Sequence, residues 1–246
     1  MIRVEKAGIA FGGRWIFRDV SFTLERGELL AILGRNGRGK TTLLRGLLGL
    51  QTWSSGRSEI DGEIGFVPQA TEAPFAYSVL DVVLMGRARH LKLFQLPRPV
   101  DYASARAALA TLGLQTFEGR RIDEISGGER QLVMIARALA SGSGALVLDE
   151  PTSALDFHNQ DIILATMRRV AREQGLAVIF SSHYPQHALH IADKALLMND
   201  VDDNVCGPTG DVMTESALAR LYGFPIRQVE VARDGGAFNA LVPMFS

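Results

Sequence analysis

Gly34-Arg35-Asn36-Gly37-Arg38-Gly39-Lys40-Thr41 follows the apolar run Leu29–Leu33 and precedes a helical pattern from Leu43 to Leu50. The stretch fits G-x-x-x-x-G-K-[ST], and strand–loop–helix is the context that pattern requires. Glycines let the backbone curl until its N–H groups point at phosphate oxygens, and the following helix start adds partial positive charge. In such a loop Lys40 reaches the β- and γ-phosphates and the Thr41 hydroxyl ligates Mg²⁺. Two further apolar runs, Ala145–Leu148 and Ala177–Phe180, also end in polar residues and lead into helical patterns. Short buried strands with helical connections predict a parallel sheet covered on both faces, with ligands beyond the carboxyl ends of its strands.

The polar residues after those runs are therefore the next to read. Ala145–Leu148 ends in Asp149-Glu150. Asp149 at the strand tip is placed to hold Mg²⁺ through water, opposite Thr41. Glu150, one residue further, is placed to polarise a water for in-line attack on the γ-phosphate. Ser126-Gly127-Gly128-Glu129-Arg130-Gln131 opens a helical pattern that runs to Ala140, and a serine with two glycines at a helix start makes a second anion cradle. A chain holding one nucleotide has no evident need for two cradles, unless the second serves a nucleotide held by another copy.

This S-G-G-x-x-Q run, a short distance before the Asp149-Glu150 strand end, resembles the signature of ABC ATPases. The family's other elements follow in order. Gln69 of Phe66-Val67-Pro68-Gln69 resembles the Q-loop glutamine, Ser153-Ala154-Leu155-Asp156 the D-loop, and His183 the switch histidine. Phe11 stands where the family usually has a tyrosine that stacks on adenine, and Trp15 is the alternative for that role. The resemblance implies Gly34, Asn36, Gly37, Arg38, Gly39, Lys40, Thr41 and Thr42 around the phosphates, joined by Ser126, Gly127 and Gly128 of a second copy. It implies Glu150, His183 and Gln69 as the catalytic set, and Thr41, Gln69 and Asp149 around Mg²⁺.

The signature departs from the usual pattern at Glu129 and Ile125, and Tyr184 replaces the acid that commonly follows the histidine. Glu129 at a helix start is expected to favour the dipole and to point away from phosphate. A cassette that binds ATP without cleaving it would lose the carboxylate or the histidine, and both are present.

The expected fold is α/β: a P-loop NTPase with a mostly parallel core sheet, an N-terminal antiparallel part and an α-helical part. One domain spans 1–246, with a helical insertion at 78–140 standing off the sheet and a carboxyl-terminal extension at 207–246. Ile2–Gly8 and Val20–Leu24 read as antiparallel strands around Gly12-Gly13. In the tail, a helix Glu215–Tyr222 and one or two short strands are expected. His158, His187 and His190 read as surface residues of the flanking helices, and Cys206 as a small loop residue.

A net charge of -1 offers no basic surface for nucleic acid. One cysteine excludes an internal disulfide and suits a reducing compartment. No apolar run approaches the roughly 18 residues that span a bilayer, and MIRVEKAGIAF has no signal-peptide core. The chain is therefore expected to be soluble, and a peripheral place on the cytoplasmic face of the inner membrane is what the resemblance implies.

With one nucleotide site and no coiled-coil insertion, an importer subunit is favoured over a soluble repair or translation ATPase. The segment Pro74–Arg87 and Arg220-Leu221-Tyr222-Gly223 resemble the vitamin B12, iron-siderophore and haem class of importers, and Gly65–Arg87 its molybdate/tungstate branch. The resemblance implies two copies of this chain, two membrane permease subunits and a periplasmic or extracellular substrate-binding protein, with ATP and Mg²⁺ as ligands.

Overall fold

The structure is a computed structural model and describes residues 1–69, 76–92, 94–233 and 236–245. It begins with β1 (Ile2–Phe11), β2 (Arg14–Leu24), β3 (Leu29–Leu33), α1 (Lys40–Leu47), β4 (Ser55–Ile60) and β5 (Ile64–Val67). Three helices follow: α2 (Val79–Leu84), α3 (Pro99–Thr111) and α4 (Gly127–Ala140). Then come β6 (Ala145–Leu148), α5 (Phe157–Gln174), β7 (Ala177–Ser182), α6 (Pro185–Ile191), β8 (Lys194–Asp200) and β9 (Asp203–Pro208). The chain ends in α7 (Thr209–Val212), α8 (Glu215–Tyr222), β10 (Ile226–Arg233) and β11 (Gly236–Pro243).

Among the described residues the larger sheet has the order β5-β6-β7-β3-β8-β9, parallel except for β9. Successive side chains of a strand point to opposite faces, so each central strand feeds two cores. Leu30, Ile32, Val147, Ile179 and Leu196 meet α1 and the antiparallel sheet β2-β1-β4. Leu29, Ala31, Leu33, Leu148, Val178 and Phe180 meet the helices of the other face. Burial on both sides explains why these runs read as continuously apolar rather than alternating.

α2, α3 and α4 lie between β5 and β6 and share that second core, with Val83, Leu109 and Ile135 buried in it. The segment expected to stand off the sheet is thus packed onto it: a Cβ on Gly65 in β5 would sit 2.8 Å from the Ala138 carbonyl of α4. Within this segment Pro97-Arg98-Pro99 forms a helix start, with Pro99 in the first turn of α3 and the buried Asp101 carboxylate accepting from the Arg98 N–H at 3.0 Å. Pro74 and Phe75, part of the segment singled out for cargo class, lie outside the described residues.

Three expectations are corrected. The tail carries two strands of eight residues each rather than short ones. Cys206 lies in β9, not in a loop, and its burial pushes the thiol up to about 11, so it is a poor thiolate. His187 is buried rather than on the surface, because α6 turns that face inward toward Thr152 and Ser182. Among the described residues no helix is long and apolar enough to cross a membrane.

Candidate nucleotide site

Four neighbouring parallel strands end on one edge of the sheet. β3 leads into Gly34–Thr41, β6 into Asp149-Glu150, β7 into His183, and β5 toward Gln69. The topology alone therefore gathers these four segments. Gln69 is exposed there.

The loop after β3 curls as its glycines allow. Gly39 has φ +91°, and a Cβ there would come within 2.7 Å of Ile16 on β2, so both conformation and space require glycine. Lys40 is buried; its Nζ donates to the Gly34 carbonyl at 2.9 Å and lies 3.5 Å from Glu150 Oε1. Arg38 turns aside to Asp200 at 2.9 Å. Thr42 is half-buried at the start of α1, and Asn36 and Gly37 are exposed at the loop tip.

Thr41 Oγ1 donates to Asp149 Oδ2 at 2.8 Å, and Ser181 Oγ donates to Asp149 Oδ1 at 2.6 Å. A hydroxyl and a carboxylate converging at a strand tip are hard oxygen donors. Magnesium keeps several waters, uses one or two protein carboxylates and completes its shell with phosphate oxygens, so this sparse donor set fits it. Among the described residues no cluster of three His, Cys, Asp or Glu side chains offers an all-protein cage.

Glu150 occupies the left-handed region, with φ 45°. A non-glycine residue there costs on the order of 1–3 kcal/mol, a strain that clusters at functional sites. Its N–H donates to Ser181 Oγ at 2.9 Å, and the carboxylate reaches both Lys40 and His183, with Oε2 3.3 Å from His183 Nδ1. Nothing in the sequence signalled this backbone turn, although Asp-Glu at the strand end marked the place.

Ser126 caps α4, and Glu129 closes a reciprocal capping box. The Glu129 carboxylate accepts from the Ser126 N–H at 2.8 Å and from Ser126 Oγ at 2.7 Å. Those hydrogen bonds hold its carboxyl below the usual range. The side chain thus serves the helix start as expected, but it folds back onto Ser126 rather than pointing away, because the serine offers two donors. A Cβ on Gly128 would meet Asn159 of α5 at 2.2 Å, so the chain's own α5 fills one side of the cradle. Ser126 and Gly127 remain exposed. The Ser126 side chain and N–H bond to Glu129 and its carbonyl accepts from the Arg130 N–H at 2.8 Å, all within the start of its own helix.

Phe11, at the end of β1, is half exposed. Trp15 packs on β1 instead, with its ring 2.9 Å from where a Gly8 Cβ would be. Asp156 caps α5, accepting from the Asn159 N–H at 2.8 Å, which anchors the Ser153–Asp156 turn.

His187 sits behind this edge, with Nδ1 3.1 Å from Ser182 Oγ and 3.3 Å from Thr152 Oγ1. Burial, together with the charges of His183 and His190, lowers its pKa to about 4. The folded value is below the unfolded one near 6.5, so the unfolded chain binds the extra proton between those values and stability falls as pH drops through that window. Urea midpoints from pH 7 to 4 should fall by less in His187→Gln than in the wild type, the difference amounting to about 1–3 kcal/mol at pH 4. Equal slopes would mean that His187 titrates normally in the folded chain.

Residues 17–153 match the family model described as ABC transporter. The chain is 41% identical over 245 residues to the molybdate import ATP-binding protein of Haemophilus influenzae, covering 99% of this chain and 96% of that protein. The hemin import ATP-binding protein of Burkholderia ambifaria is 35% identical over 259 residues, covering 93% and 94%. A solved metal-chelate type ABC transporter in an inward-facing conformation aligns with a TM-score of 0.95 and 41% identity, covering 99% of this chain and 97% of that one. The phosphate loop, the paired acids and the signature helix therefore stand in an ATP-binding chain of known lineage, and the protein belongs to the ABC transporter family, as one of its ATPase subunits.

Proposed function

We propose that this chain energises an ABC importer by binding and hydrolysing ATP between two copies of itself. The observation that carries the reading is the convergence of Lys40, Thr41, Asp149, Glu150 and His183 on one sheet edge, while Ser126 and Gly127 face solvent. Phe11 of one copy would stack on adenine, a role supported by its half-exposed ring, whereas Trp15 packs against Gly8 of β1. The Gly34–Thr42 backbone and Lys40 would hold the phosphates, and Ser126, Gly127 and Gly128 of the other copy would close over the γ-phosphate.

Thr41 and Asp149, with Gln69 from the same sheet edge, would hold Mg²⁺, which when bound neutralises charge on the β- and γ-oxygens. Glu150 would take a proton from the water that attacks the γ-phosphorus as the bond to the leaving ADP oxygen breaks. His183 Nδ1 steadies that carboxylate. Lys40 is already tied to Gly34 inside the loop, so little ordering is left for ATP to impose on it. Lys40→Ala should weaken ATP about 10- to 100-fold, the range that charge-assisted hydrogen bonds supply. Fluorescent-nucleotide titration measures this, and unchanged affinity would remove Gly34–Thr41 as the phosphate site.

The proposed setting is the cytoplasmic face of the inner membrane, with two permease subunits and a substrate-binding protein outside. Gln69, exposed on the same sheet edge and preceding the helical segment in sequence, would be the natural lever between nucleotide state and permease. For cargo, molybdate or tungstate is supported by the 41% identical relative and the Gly65–Arg87 resemblance. Haem, iron chelates or cobalamin form the second reading, supported by the hemin relative.

Pairing through nucleotide is the testable core. Light scattering at micromolar protein should give a monomer without nucleotide and a dimer with ATP and Mg²⁺. A tight dimer without nucleotide would instead point to the exposed apolar side chains of β10–β11, Val229, Val231, Phe238 and Val242.

A further inference from the structure

We infer that the carboxyl-terminal segment from α8 to β11 positions the His183 turn, with Tyr222 and Gln186 as its two points of attachment. The inference rests on the catalytic role proposed above for His183. That histidine lies in a turn between β7 and α6, with its side chain 37% exposed and one 3.3 Å contact to Glu150. The turn's own hydrogen bonds, Tyr184 N–H to Ser182 Oγ at 3.0 Å and His187 N–H to the Tyr184 carbonyl at 3.2 Å, flank the histidine, and a displacement of about 1 Å at a catalytic group is costly.

The tail adds contacts at the histidine's own carbonyl and at Gln186. The Tyr222 hydroxyl, at the end of α8, donates to the His183 carbonyl at 3.2 Å. Gln186, three residues after the histidine, occupies the open edge of β11: its Nε2 donates to the Asn239 carbonyl at 3.1 Å and its Oε1 accepts from the Leu241 N–H at 2.9 Å. One carboxamide thus stands in for the peptide unit of a neighbouring strand. β10 is fastened in turn to α8, since Glu215 accepts from the Gln228 N–H and from Arg227, both at 2.8 Å. The loop of contacts closes: His183, Tyr222, α8, β10, β11, Gln186 and back to the turn.

Between turn and tail is a mostly apolar cavity of about 270 Å³, lined by His183, Tyr184, Tyr222, Phe224, Leu241 and Pro243. The Tyr184 ring leans on the imidazole, with centroids 4.0 Å apart. Lys40, by contrast, makes its hydrogen bond within its own loop. Loosening the tail should therefore disturb the hydrolytic step and leave nucleotide affinity intact. Tyr222 and Gln186 are positioning residues, since they touch the backbone around His183 and not the proposed reacting atoms.

The test uses the full chain. In Tyr222→Phe, which removes one hydroxyl, kcat should fall about threefold to tenfold, the range of one hydrogen bond, with ATP affinity unchanged. Gln186→Ala should do the same by freeing β11. In a His183→Ala background, single-turnover rates should be no lower with Tyr222→Phe than without it, because the lost contact acts through the imidazole. Wild-type kcat in both single variants would overturn the inference while sparing the role of His183. So would an equal fold-loss with and without His183, or a fall in ATP affinity in place of kcat. A His183→Ala chain that hydrolyses at the wild-type rate would sink the histidine's role, and this inference with it.

Discussion

Hydrolysis by Glu150→Gln is expected to fall about 10²–10⁴-fold, the usual contribution of a general base, while ATP still binds. The carboxylate is held on three sides. Its backbone is turned into the left-handed region and tied by its N–H to Ser181, one oxygen faces Lys40 and the other faces His183. Asp149, its neighbour, accepts from Thr41 and Ser181 and faces the proposed metal position, which leaves Glu150 as the carboxylate for the water. Glutamine keeps the size and the hydrogen-bonding capacity toward Lys40 but cannot take a proton. Charge repulsion at the γ-phosphate also falls, so nucleotide should hold two copies together longer. Phosphate release and gel filtration with ATP and Mg²⁺ measure both effects. A variant that hydrolyses at more than about a third of the wild-type rate would show that Glu150 is not the base.

How much of this was legible beforehand follows from what each feature depends on. Leu29–Leu33, Ala145–Leu148 and Ala177–Phe180 were readable because strands buried on both faces are apolar throughout and end abruptly in the polar residues of the site. The helix Glu215–Tyr222 was readable from local periodicity, and the structure places it over those residues. β4, a polar edge strand of sequence SGRSEI, has no such pattern, because β1 supplies its pairing and solvent takes its other side. β5 has four residues and β8 a buried core of four, lengths at which a strand and a helix segment look alike.

In the site, the residue types and their order along the chain were legible, and their contacts were not. The Thr41–Asp149 hydrogen bond depends on strands far apart in sequence, and the Lys40–Gly34 bond on how the loop curls. The reach of Glu150 depends on a backbone conformation that glutamate rarely adopts. Burial of His187 depends on which face α6 presents, and a seven-residue helix gives too little periodicity to settle that. The fastening of the tail to the His183 turn depends on Tyr222 and Gln186, which carry no pattern of their own.

Ser126→Arg is expected to bind ATP nearly normally as an isolated chain, yet to lose about 10²–10³-fold in hydrolysis, the cost of losing one preorganised donor at a developing charge. The geometry that motivates this is local. Asn159 of the same chain closes one side of the cradle at Gly128, while Ser126 and Gly127 face solvent. The hydrogen bonds found for Lys40 and Thr41 lie within their own loop and with Asp149. On the proposed reading, a phosphate held by Lys40 would meet the exposed Ser126 of a second copy. Arginine removes the cap as well, at about 1 kcal/mol, so circular dichroism must first establish that the variant is folded.

Mixing Ser126→Arg chains with Lys40→Ala chains makes the test direct. In the mixed pair the first chain supplies an intact Lys40 and the second an intact Ser126, which rebuilds one complete site out of two. The expected result is phosphate release above that of either variant alone, with nucleotide binding preserved in the Ser126→Arg monomer. Loss of nucleotide binding in that folded monomer would place Ser126 in its own chain's site and contradict the shared site.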